Sequence, residues 1–231
     1  MSENVRIPSL DGTESFPAYV VRPAAAPRGA IIVVQEVFGV NPGIRKKAEH
    51  WAGLGYLAIA PEVFWRQAEG IDLDSDVPEE FQQAIRHMMA HDFGLGLGDI
   101  KAAIAWARGQ GAGKVGLVGY CMGGKIAYEA AAHTDIDASV GYYGVGIDQM
   151  LGDAPGITKP LMLHIPTADG FVTPEAQQAI HEGLDGHPQV TLHDYQGLDH
   201  GFAAEHGVRR NDSAAQLADG RTETFFAAHI G

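Results

Sequence analysis

Hydrophobic residues along this chain fall into short blocks separated by amphipathic stretches. "AIIVVQ" (30–35) is an unbroken run rich in β-branched residues, the pattern of a strand covered on both faces. "YLAIAP" (56–61), "KVGLVGY" (114–120), "DASVGYYG" (137–144) and "KPLMLHIPTAD" (159–169) repeat it, and "QVTLHDY" (189–195) predicts a further strand. Between the blocks lie helical patterns. "NPGIRKKAEHWAGLG" (41–55) has Pro42 at its start and Gly53 or Gly55 near its end. Residues 78–90, 98–109, "MGGKIAYEAAAH" (122–133), "PEAQQAIHEGL" (174–184) and 211–229 predict the other helices.

Strands alternating with helices predict an α/β fold: a mostly parallel, doubly wound sheet with helices on both faces. "RPAAAPRG" (22–29) is too short and too early to divide domains, so residues 1–231 are expected to form one domain. Such sheets bind ligands beyond the carboxyl ends of their strands. The loops at 36–42, 120–123, 166–173 and 196–206 are therefore where chemistry is expected.

Composition narrows the function. The 231 residues are 45% hydrophobic, enough for a full core. Asp and Glu total 29 against 16 Lys and Arg, a net charge of −13. That argues against nucleic acid or an anionic membrane surface as partner. A single cysteine forms no internal disulfide, so the thiol is expected to be reduced and the compartment cytoplasmic. "MSENVRIPSLDG" shows no signal-peptide pattern, and no stretch approaches the roughly 18 apolar residues of a membrane span.

That cysteine, Cys121, stands in "VGLVGYCMGGKIAYEA" (115–130), at a strand-to-helix junction. G-x-C-x-G, with Gly119 and Gly123 flanking it, matches the G-x-S-x-G nucleophile elbow with sulfur in place of oxygen. The elbow strains the nucleophile's backbone and leaves no room for side chains two residues away. In return the sulfur projects at a helix N-terminus, where N–H groups and the helix dipole favour a thiolate.

A thiol nucleophile needs a base, and the base an orienting acid. The α/β-hydrolase order is nucleophile, acid, histidine. Asp169, in "HIPTADGFVTPE", and His200, in "YQGLDHGFA", supply that order after successive strands. Asp194 and Asp199 are rival acids. His87 and His91 are four apart on a helix, but no third metal ligand accompanies them, and a solvated helix face is expected. His164 reads as a core histidine. "GLGLG" (94–98) and "GQGAGKV" (109–115) match no phosphate-binding motif. An oxyanion hole needs two N–H donors; Met122 and Val37 are the expected pair. Glu36, a carboxylate directly after an all-apolar strand, would raise a nearby thiol pKa and keep the resting sulfur protonated.

"QEVFGVN", "GLVGYCMGG", "VGYYGVG" and the Asp and His segments together resemble the dienelactone hydrolase (carboxymethylenebutenolidase) family, over nearly the whole chain and in the same order. The resemblance implies an α/β-hydrolase fold and a Cys121–His200–Asp169 triad. It also implies a thiol-shielding role for Glu36 and opening of an enol-lactone through a thioester, with neither metal nor organic cofactor. It further implies two arginines gripping a substrate carboxylate, but those positions hold Phe81 and Ala204, and Arg86 and Arg209 are merely near in sequence. A more apolar pocket for neutral small esters or lactones is therefore expected, lined by Phe38, Phe81 and Phe202. The alternatives are a thiol-based redox-sensing or binding protein on the same scaffold, and a peptidase or acyl transferase using the same triad.

Overall fold

The structure is a computed structural model describing residues 1–205 and 207–231. His206, which carries no motif, lies outside the described residues. The chain forms two compact units, Met1–Gly116 and Leu117–Gly231.

In the first unit, β1 (Ser2–Pro8) and β2 (Ser15–Val21) form an antiparallel hairpin. β2 pairs antiparallel with β4 (Leu57–Pro61), which runs parallel to β3 (Ala30–Val34), giving the order β1-β2-β4-β3. β3 and β4 are buried along their whole length, as continuous apolar runs require. The hairpin was not predicted. β2 buries Phe16, Ala18 and Val20 between half-buried neighbours, so it never presents an unbroken apolar block.

Three helices complete this unit. Asn41 caps α1 (Pro42–Gly53) by accepting the Ile44 N–H at 3.1 Å, with Pro42 in the first turn. α2 (Pro78–Met89) lies where predicted. α3 (Phe93–Gly109) starts five residues earlier than predicted. Glycine weakens a helix interior by about 1 kcal/mol, and "GLGLG" (94–98) places three glycines in the first turns. Asp92 overrides this by capping the Leu95 N–H at 3.0 Å, and Gly96 is needed because a side chain there would meet the His91 ring.

The second unit carries, in the order β5-β6-β7-β8, all but the first two residues of β5 (Val115–Tyr120), with β6 (Ala138–Tyr142), β7 (Leu161–Pro166) and β8 (Val190–Tyr195). β6, β7 and β8 are parallel. Its helices are α4 (Met122–His133), α5 (Pro174–Leu184) and α6 (Asp212–His229). A 3-10 segment, Ile147–Gly156, was not predicted; Gly152 and Pro155 break any helical pattern there. Its Ile147 and Ala154 join Tyr128, Leu161, Leu163 and Ile180 in one apolar cluster. Among the described residues no helix is long and apolar enough to cross a membrane.

Candidate active site

Cys121 joins β5 to α4 with φ 55° and ψ −115°. A non-glycine residue held there costs about 1–3 kcal/mol and persists only where its surroundings enforce it. Here the Cys121 N–H donates to the Tyr142 carbonyl (3.0 Å), and the Cys121 carbonyl accepts from the N–H groups of Gly124 (2.9 Å) and Lys125 (3.3 Å). A Cβ on Gly119 would collide with the Gly123 carbonyl, and one on Gly124 would come within 2.6 Å of the Tyr142 carbonyl. The thiol does not cap the helix. It is half-buried and unbridged. The Met122 N–H, first in α4, has no acceptor within the helix and lies at its positive end.

His200 meets Asp169 through Nδ1 and Oδ2 at 2.9 Å, and both residues are only 5% exposed. Asp169 Oδ1 accepts the N–H groups of Phe171 (2.8 Å) and Val172 (3.3 Å), which fixes the carboxylate in its loop. On the other side, His200 is within hydrogen-bonding reach of Cys121. Burial pushes the His200 pKa down. The Cys121 charge, the hydrogen bonds to Asp169 and Cys121, and the Asp169 charge outweigh it and raise the pKa to about 10.

The rival acids are committed elsewhere. Asp199 Oδ1 accepts the N–H groups of His200 (2.7 Å) and Gly170 (3.0 Å), joining the two loops. These backbone bonds lower its pKa. Asp194 pairs with His181 at 3.1 Å.

Aromatic rings enclose the imidazole. Tyr143 and Phe171 stand edge-on to it, with centroids at 4.9 Å and 4.8 Å. Neither was singled out from the sequence. Tyr143 has φ 40°, the second non-glycine residue at positive φ among those described. Phe171 is 47% exposed, and the Arg209 guanidinium lies 5.4 Å above its ring. An aromatic residue two positions past the acid, in the loop after β7, was the available signal. Phe202, expected to line the pocket, is instead 1% exposed and packed on Tyr143 (5.7 Å) and Tyr195 (4.6 Å). It supports the wall from behind.

The other expected residues belong to the first unit. Phe38 and Phe81 pair with ring centroids 5.9 Å apart. Val37 is buried and Glu36 half-buried. Ala204 is half-buried in the second unit, and Arg86 is exposed in the first. His87 does not sit on a solvated face as expected. Its ring stacks on Phe64 at 5.7 Å and pairs with Gln67 at 2.9 Å, because α2 lays it against the loop after β4. Among the described residues no three His, Cys, Asp or Glu side chains are grouped to hold a metal ion.

The fold is that of the α/β-hydrolases. A structure from Klebsiella pneumoniae subsp. pneumoniae matches with a TM-score of 0.85 at 26% identity, covering 98% of each chain. Dienelactone hydrolase from Anabaena variabilis shares the fold, with a TM-score of 0.73 at 18% identity over 100% of this chain and 99% of that one.

Residues 16–230 match the dienelactone hydrolase family. The carboxymethylenebutenolidase of Pseudomonas putida is 39% identical over 229 residues, 98% of this chain and 97% of that protein. The chain belongs to the dienelactone hydrolase family and is a hydrolase of that type.

Proposed function

We propose that this protein cleaves carboxylic esters or enol-lactones through a thioester on Cys121, acting as one α/β-hydrolase domain in the cytoplasm. The observation that carries the reading is the relay in the second unit: Cys121 within reach of His200, and His200 Nδ1 2.9 Å from Asp169. The family match over residues 16–230 supports it.

The Cys121 thiolate attacks the substrate carbonyl carbon. A C–S bond forms, and the carbonyl π pair moves onto oxygen. The Met122 N–H faces that charge at the positive end of α4. Collapse breaks the C–O bond, and His200 gives its proton to the departing oxygen. The thioester has no charge on sulfur. The charge that most strongly raised the His200 pKa is then gone, so the imidazole becomes a base. It takes a proton from water, the hydroxide adds to the thioester, and the thiolate leaves as the acid product forms. The proton stays on His200, restoring the pair. Asp169 holds the imidazole with Nδ1–H inward and Nε2 toward the chemistry throughout.

Two further roles rest on the sequence pattern. Val37 supplies the second oxyanion N–H. Glu36 is a carboxylate that favours the protonated thiol until substrate arrives. Substrate preference follows from Phe81 and Ala204 standing where arginines are expected. A charge-assisted hydrogen bond contributes about 1.5–3 kcal/mol, so losing two removes most of the preference for an anionic lactone. Phe38 and Phe81 are the proposed apolar substrate contacts.

Two measurements test this. Turnover of p-nitrophenyl acetate should stop on treatment with iodoacetamide. Undiminished turnover would remove the thiol from the mechanism, while oxidant-dependent partner binding without turnover would mark a redox switch. Steady-state kinetics should then favour a neutral short-chain ester over dienelactone; a strong preference for the acid lactone would overturn the neutral-substrate reading.

A further inference from the structure

Behind the relay, buried polar side chains from β6, β7 and β8 meet α6. His164, 1% exposed, places Nδ1 2.7 Å from the Tyr195 hydroxyl and Nε2 2.9 Å from Thr222 Oγ1. Thr222 Oγ1 is 2.6 Å from the Tyr142 hydroxyl, which also donates to Asp219 Oδ1 at 3.0 Å. Arg221 Nη1 donates to the Tyr195 hydroxyl at 3.1 Å.

Counting donors assigns a direction to this chain. Arg221 only donates, and a carboxylate at Asp219 only accepts. Each hydroxyl between them has one proton. Arg221 therefore donates to Tyr195, Tyr195 to His164 Nδ1, His164 Nε2–H to Thr222, Thr222 to Tyr142, and Tyr142 to Asp219. The Thr222 proton has an alternative acceptor in the Ala218 carbonyl, at the longer distance of 3.0 Å. The assignment leaves His164 neutral. An imidazolium would aim a second donor at the Tyr195 oxygen, which already faces Arg221.

Cys121 and residues beside the other two members of the proposed relay hydrogen-bond the backbone of the strands that carry this network. The strained Cys121 donates its N–H to the Tyr142 carbonyl. Tyr143, at positive φ and edge-on to His200, donates its N–H to the His164 carbonyl at 2.9 Å. Thr167, two residues before Asp169, donates its N–H to the Tyr195 carbonyl at 3.0 Å. His164, Tyr143 and Asp169 also line one small cavity. Backbone strain persists only where neighbours over-determine it, and a satisfied buried network supplies such rigidity.

We propose that the His164–Thr222 hydrogen bond makes these two positioning residues for hydrolysis, bracing the ends of β6–β8 on α6 so that Cys121, His200 and Asp169 keep their alignment. The inference rests on the proposed relay.

Thr222→Val removes the hydroxyl at nearly constant shape. Small misplacements at a reacting centre lower rates steeply, so kcat should fall about tenfold with KM unchanged. The pH midpoint of the Cys121–His200 pair, followed by thiolate absorbance, should move with it. Thr222→Ser should restore both. Tyr195→Phe, which keeps the ring, should act in the same direction and serves if Thr222→Val does not fold. A variant that melts earlier but keeps wild-type kcat and thiolate titration overturns the proposal. If Cys121→Ala keeps full activity, the relay itself has failed, a separate outcome from failure of the brace.

Discussion

His200 and Asp169 share a 2.9 Å hydrogen bond in which both side chains are almost sealed from water. A buried, charge-assisted bond of this kind fixes both the tautomer and the angle of the ring. Asp169→Asn would present an amide that cannot serve as the same charged acceptor. We expect kcat to fall by about 10²–10⁴-fold with KM little changed, measured on p-nitrophenyl acetate. A loss confined to KM would show that Asp169 acts on binding.

The pH dependence follows from the same pair. The His200 pKa is raised to about 10: burial opposes the rise, and the Cys121 charge leads the influences that drive it. A base with a raised pKa keeps its proton through neutral pH and loses it as pH climbs through the raised value. The alkaline limb of kcat/KM, which reports free enzyme, should therefore lie near about 10. An alkaline limb near the ordinary histidine range would show that the Cys121 charge does not hold the proton on His200.

Gly119→Ala tests the elbow. The added methyl would strike the Gly123 carbonyl, backbone that cannot swing aside. Overpacking of this type costs roughly 1–3 kcal/mol or more. We expect a melting temperature lower by about 5 °C or more and lost activity. Near-normal melting with full activity would show the turn to be looser than drawn.

A further pH effect concerns stability away from the site. His181 bridges Asp185 (3.0 Å) and Asp194 (3.1 Å), tying α5 to β8. Burial lowers its pKa, but the hydrogen bonds to Asp185 and Asp194 raise it overall. Its contribution is thus fully present below the unfolded pKa of about 6.5 and is lost as pH rises through the raised folded value. The side chain is 30% exposed, so the bridge contributes about 0.5 kcal/mol. His181→Gln should melt about 1–2 °C lower at pH 6 and match the parent well above the folded pKa. An equal deficit at both pH values would point to lost packing.

Much of this was legible in the sequence. Strands buried on both faces announce themselves as apolar runs, and β3 through β7 did so. The elbow was legible because its glycines answer a steric demand at a fixed spacing. Asp169 and His200 were legible from chain order after successive strands. What escaped depends on contacts distant in sequence. The β1–β2 hairpin buries one face only. Phe202 is aromatic and beside the histidine, yet only the packing of Tyr143 and Tyr195 around it shows that it is internal. Tyr143 and Phe171 earn their place by flanking an imidazole that arrives from another loop. His164 reads as a core residue, which it is; its five polar companions come from three other elements.

The seam where Gly124 lies against the Tyr142 carbonyl and Gly144 has a consequence for how this family can diversify. A library randomised at Gly119 and Gly124 should return few folded clones, since backbone fills the space any new side chain there would need. One randomised at the half-exposed Phe171 and the exposed Arg209 should return many. Changes of substrate should therefore accumulate on the rim while the thiol's cradle stays nearly invariant.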